Sequence, residues 1–179
     1  ETSLSNAVAI LSTSDFLLEF LKPLHTHIND ECNRGSLRFV QERFSKISIR
    51  NCLSNLSIQL RTSKDEGPKL IVGSLTSEQE NLDTLMHIII AQNVGWDVTY
   101  VGGNIPHDEI IYMANKIKAR AMVLAFNNPR DISRKAHEIR VIKEKSQQRD
   151  NIVLIGSEVS NYRQLADDVK AMISNDLSS

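Results

Sequence analysis

The 179-residue chain carries 21 Lys and Arg against 22 Asp and Glu, a formal net charge of −1, so no overall field draws it to nucleic acid or to an anionic membrane surface. That length suits one ordinary domain, or a small helical layer beside a compact α/β unit, with a core that needs no staples. Cys32 and Cys52 show neither a CxxC nor a zinc spacing, and read as small half-buried side chains in a reducing cytoplasm. No cationic start leads into an apolar run, and no apolar run approaches the ~18 residues of a membrane span. The expectation is a soluble cytoplasmic protein without membrane contact. A first residue of Glu rather than Met suggests a segment upstream.

In chain order, residues 1–62 hold no strand signal. A short leading helix is expected over about residues 2–11. Phe16, Leu17, Phe20, Leu21, Leu24 and Ile28 then recur at three- and four-residue spacing, an amphipathic helix that Asn33-Arg34-Gly35 ends. A second long helix follows, with Leu37, Val40, Phe44, Ile47, Leu53, Leu56 and Leu60 as its apolar positions. Thr62 to Pro68 is polar and closes on Gly-Pro, a linker. This divides the chain into a helical bundle over 1–66, incomplete at its amino end, and an α/β domain over 67–179.

Beyond the linker, short apolar runs at 69–72, 98–101, 121–126 and 151–155 alternate with helical patterns at about 78–94, 107–118, 131–148 and 162–174. Strands separated by helices of this length imply right-handed crossovers and a flavodoxin- or Rossmann-like doubly wound parallel sheet covered on both faces. Ligands of such a sheet belong at the carboxyl ends of its strands, which directs attention to the loops at 73–78, 102–106, 126–130 and 156–161. None is a phosphate cradle: GSLTSE is neither GxGxxG nor GxxxxGK, and Gly102-Gly103 reads as a turn. AMVLAF runs into Asn127-Asn128, where a phosphorylation receiver would need a carboxylate.

The stretch GSLTSEQENLD carries Glu78, Glu80 and Asp83. Ser77 to Glu80 has the capping-box form, and acids in a first turn complement the helix dipole. The same acids neutralise the place where an anionic ligand would dock. The five histidines make no metal constellation: His25 and His27 point to different sides of one helix, and His87, His107 and His137 lie on separate segments. Trp96 reads as an aromatic at the start of the second strand. No nucleophile elbow or paired acid and base stands out, so an enzyme is not expected.

The order of helical layer, Gly-Pro linker and α/β domain with GWDVTYVGGNIPHDEI resembles the cobalamin-binding region of MerR-type transcription regulators of the CarH and LitR kind. Gly95-Trp96-Asp97-Val98-Thr99-Tyr100-Val101-Gly102 resembles their second strand and Ile105-Pro106 their next helix start. The resemblance implies a B12-binding-type fold and a set of ligand-pocket positions. The family's DxHxxG falls on Glu78 to Asp83, with the cobalt-binding His replaced by Glu80 and the Gly by Asp83. The Ser of its SxL falls on Ala125, and its Gly-Gly on Gly156-Ser157. The Trp and the Glu-His that cap the corrin fall on Cys32 and on Glu42-Arg43.

A carboxylate substitutes poorly for a cobalt-binding imidazole, and guanidinium cannot ligate a metal. The expectation is therefore the sensory and oligomerisation region of a MerR-type regulator that holds no cofactor in its relatives' manner. Cobalamin or adenosylcobalamin is the alternative, in a light sensor or a methyltransferase carrier subunit. A tetrapyrrole held by His25, His27 or His87 is a weaker alternative. Partners would be a second copy or a regulatory protein, with DNA reached only through a separate helix-turn-helix ahead of this chain. Glu42 and Glu80 are expected to face one another, with Arg43 as their counter-charge.

Overall fold

The structure is a computed structural model that describes residues 4, 7, 10–61, 67–76, 82–126, 128–146, 152–155 and 172–174. Leu4, Ala7 and Ile10 are helical, and Leu4 and Ala7 pack against the core of the helical layer. Helix α1 is continuous over 13–33 but built in three parts: Thr13–Asp15, a π-helical Phe16–Leu21 and Lys22–Asn33. The wide turn has a local cause. Pro23 cannot donate, and its ring would crowd the carbonyl of Glu19 in a regular helix. The Lys22 N–H bonds instead to the Leu17 carbonyl, one residue further back.

At the other end Gly35 takes φ +77 and its N–H reaches the Cys32 carbonyl, so the helix stops at the expected punctuation. Helix α2, Phe39–Arg61, returns along α1. The apolar pattern of α2 is only half absorbed. Ile49, Leu53 and Leu56 are buried, whereas Val40, Phe44 and Ile47, expected in the core, are exposed.

Five parallel strands follow: β1 Lys69–Gly73, β2 Asp97–Tyr100, β3 Ala121–Ala125, β4 Ile152–Ile155 and β5 Met172–Ser174. Their order is β2-β1-β3-β4-β5. Register is set by pairs such as Val72 with Tyr100, Val72 with Val123 and Leu124 with Leu154. The helices between them are α3 Leu82–Asn93, α4 His107–Ile117, α5 Pro129–Arg134 and α6 Ala136–Lys145.

Alternation along the strands assigns the two faces. Leu70, Val72 and Val98 pack with Ile88 of α3. Ile71, Met122 and Leu124 pack with Ile110 of α4 and Ile139 and Ile142 of α6. The chain is thus an α/β fold, a helical layer followed by a doubly wound parallel sheet buried on both faces.

Two expectations about the sheet are corrected. The carboxyl-terminal helical pattern was expected to run to 174, but Met172–Ser174 form a fifth strand beside β4; 156–171 lie outside the described residues. Met and Ile read as helical by spacing, and only pairing with β4 makes them extended. The pattern expected as one helix over 131–148 is two. Asn128 caps the first through its side chain, Pro129 opens it, and Lys135 at φ −98, ψ 11 separates it from α6.

Candidate functional site

In sheet order β1 and β3 are neighbours whose chains leave in opposite directions, the switch point where this architecture leaves a crevice. The β1 end is clasped to the β2 end by three backbone bonds: Ser74 N–H to Gly102 O at 2.9 Å, Asn104 N–H to Thr76 O at 2.7 Å and Ile105 N–H to Ser74 O at 3.1 Å. Gly102, at φ +86, makes the expected turn. The Ser74 side chain is buried, accepts from the Thr76 N–H at 3.2 Å and shares a hydrogen bond with the Thr76 hydroxyl at 3.1 Å. Across the switch, Ala125 and Phe126 are fully buried, as is Leu75 of the β1 loop.

The helical layer meets this edge through α3. Leu82, Met86 and Ile89 of α3 share one apolar cluster with Leu17 and Leu21 of α1 and Leu53 of α2. Above that seam lies a polar cluster. Cys32, in the last turn of α1, donates its thiol to Glu42 Oε2 at 2.8 Å, and Lys46 Nζ holds the other carboxylate oxygen at 2.6 Å. The thiol and the ammonium hold the Glu42 carboxyl below its usual range, and the same hydrogen bond pushes the Cys32 thiol up.

His25 sits in the same place. Its Nε2 lies 3.3 Å from Asn29 Nδ2 and its Nδ1 lies 3.9 Å from Asp83 Oδ1. With the Asn29 amide donating to Nε2, the ring proton sits on Nδ1, toward the carboxylate. Burial lowers the pKa of His25, and the Asp83 carboxylate opposes that shift without reversing it. At neutral pH the cluster therefore holds a protonated thiol, an ionised carboxylate and a neutral imidazole. None is an activated nucleophile.

The positions implied by the resemblance divide into three groups. Asp83 and Glu42 act on His25, and Cys32 joins them through its bond to Glu42. Ala125 lies across the switch at the end of β3, and Glu78, Glu80, Gly156 and Ser157 lie outside the described residues, as does the Ser77 capping box. Arg43 is corrected: it is exposed, with its guanidinium 6.0 Å from the centre of the Phe39 ring, and Lys46 takes its place as the counter-charge of Glu42.

A helical wheel explains the exchange, since residue 46 is one turn from 42 on the same face while 43 is turned away. Asn29 and Lys46 were missed in sequence, and His25, weighed there only as one of three histidines for a tetrapyrrole, stands two turns before Cys32 on the same face of α1. Of the other histidines, His27 is exposed and His87 Nδ1 bonds to the Asp83 carbonyl at 2.7 Å.

Among the described residues no group of three or more His, Cys, Asp and Glu is placed to hold a metal ion, and no helix is long and apolar enough to cross a membrane. A corrinoid nucleotide tail threaded at the switch would need room and a polar contact there. Leu75, Ala125 and Phe126 are buried there with apolar side chains, the Ser74 and Thr76 hydroxyls are bonded to one another, and Asp83 brings a carboxylate to the first turn of α3. These residues do not fit a threaded tail.

No protein-family model matches the chain, and no curated protein matches it by sequence. Solved structures do. The chain is similar to the monomethylamine corrinoid protein of Methanosarcina barkeri, with a TM-score of 0.74 at 14% identity over 98% of this chain and 84% of that one. It is also similar to a cobalamin-binding protein from Desulfitobacterium hafniense DCB-2, with a TM-score of 0.55 at 12% identity over 86% of this chain and 73% of that one. These likenesses establish the fold, that of corrinoid proteins. They also overturn the expectation of no cofactor, because one of these two structures is of a protein named a corrinoid protein and the other of one named cobalamin-binding.

Proposed function

We propose that the chain is a corrinoid-binding module serving as the sensory and oligomerisation region of a MerR-type transcription regulator. The observation that carries corrinoid binding is a helical layer joined to α3 by one apolar core, above a parallel sheet in the order β2-β1-β3-β4-β5, matched over 98% of the chain by a corrinoid protein. The regulator role rests on the sequence resemblance and on the rewritten pocket positions. DNA contact belongs to a separate helix-turn-helix, and the module itself is not an enzyme.

The proposed binding mode differs from that of the relatives. Residues 74–81 contain no histidine, and the described switch residues Leu75, Ala125 and Phe126 offer a threaded tail no polar side chain. A corrinoid bound here would be held at its rim, with no histidine among residues 74–81 to displace its own base. A bound corrinoid supplies a cobalt–carbon bond that light can break. This chain's residues would meet the rim amides with Lys46 and Asn29 as donors, Glu42 and Asp83 as acceptors, and a neutral His25.

A second reading, a corrinoid carrier for a methyltransferase, is favoured by the TM-score of 0.74 to the methylamine corrinoid protein. Gel filtration with visible absorbance, after incubation with adenosylcobalamin in the dark and again after illumination, separates the readings. Co-eluting base-on corrin absorbance with a light-dependent change in size supports the regulator. Co-elution without a size change supports the carrier. A colourless peak overturns both, and a base-off spectrum overturns the binding mode.

A further inference from the structure

Helix α2 carries apolar residues on two opposite sides. One side, Ile49, Leu53 and Leu56, is buried against α1 and α3. On the other, Val40 is 69% exposed, Phe44 68%, Ile47 43% and Ile58 61%, with Phe39 beside them at 70%. Positions 40, 44, 47 and 58 fall on one stripe of a helix with 3.6 residues per turn. A helix that is apolar on both sides is built to be covered on both.

Charge says what covers it. Arg43 and Arg50 are exposed along one flank of the stripe, and Arg43 lies over the Phe39 ring at 6.0 Å. Glu42 is the sole acid of α2, and Cys32 and Lys46 hold it on the other side. The outward face therefore presents an apolar stripe with a cationic edge and no anion.

A second copy suits this edge poorly. Two-fold antiparallel pairing of α2 with itself sets the Arg43 and Arg50 flank against the same flank, a like-charge contact. Parallel pairing sets it against Gln41, Asn55 and Gln59, which carry no charge. We propose that the outward face of α2 docks a helix of a different protein chain, one whose apolar stripe is edged by carboxylates. The proposal concerns a surface away from the Glu42 cluster and holds with or without a corrinoid.

Fluorescence anisotropy with two labelled amphipathic peptides tests it: identical leucine stripes, one flanked by glutamates and one by lysines. The glutamate peptide is expected to bind about tenfold or more tightly than the lysine peptide, and less tightly as salt rises. Arg43→Ser with Arg50→Ser should abolish that preference, and Val40→Ser with Phe44→Ser should abolish binding; all four positions are exposed, and far-UV circular dichroism checks the fold. Equal binding of the two peptides, or none, overturns the proposal. So does sedimentation showing that the chain self-associates through this face, lost in the Val40 and Phe44 variant, because the occupant is then a second copy.

Discussion

Leu53→Ala tests whether the helical layer and the sheet form one cooperative unit. Leu53 of α2 is fully buried in the cluster that contains Leu82, Met86 and Ile89 of α3. The substitution removes three carbon groups, worth ~0.8 kcal/mol each in transfer free energy. A residual cavity of roughly 40 Å³ adds about 1 kcal/mol at ~24 cal/mol per Å³. The sum is about 3–4 kcal/mol, a lowering of the melting temperature by about 6–16 °C for a chain of this size.

Two probes report it. Far-UV circular dichroism follows helix, and the single tryptophan, Trp96, reports on the sheet, where it packs against the cluster of Leu70, Val72, Ile88 and Val98. Because α3 belongs to both the layer and the sheet, the two signals should shift together. If helix content melts early while Trp96 fluorescence keeps its original midpoint, the shared core does not couple the layers, and the account of the seam is wrong.

Three further outcomes follow from the site and its supports. Glu42→Gln removes the charged acceptor of the Cys32 thiol, so on a Cys52→Ser background Cys32 should react faster with iodoacetamide at mildly alkaline pH; an unchanged rate means that bond does not restrain the thiol. His25, whose pKa burial lowers from 6.5, binds fewer protons folded than unfolded, so its contribution to stability is present above about pH 6.5 and is lost as pH falls through the lowered value. Melting temperatures taken from pH 7.5 down to pH 5 should therefore fall less steeply in His25→Gln than in the parent, and parallel profiles would remove His25 from the account. Gly73→Ala places a Cβ 2.7 Å from Val101 Cγ2 at the end of β1, and should cost about 1–3 kcal/mol in urea denaturation; a neutral result means that Val101 turns aside freely.

Much of the architecture could be read from the residues alone. Period and punctuation are local properties: the apolar spacing of α1, the Gly35 stop and the short apolar runs of β1 to β4 need no knowledge of the rest of the chain. Gly95 to Gly102 and the order of elements also carried the likeness to corrinoid proteins. That residues 74–81 hold no histidine is likewise legible without a structure, because identity at a position needs no geometry.

Tertiary structure decided what spacing leaves ambiguous. Met172 and Ile173 are extended because β4 offers them a hydrogen-bonded edge, an interaction between residues far apart in the chain. Val40, Phe44 and Ile47 fit a helical pattern as well as Leu53 does, but pattern cannot say which of two apolar faces meets α1 and α3. Glu42 has both Arg43 and Lys46 close by in sequence, and the turn of α2 gave it Lys46 rather than Arg43. His25 became part of the site only because α3 brings Asp83 beside it. Spacing along the chain sets which side of an element a residue occupies, and packing alone sets what stands opposite.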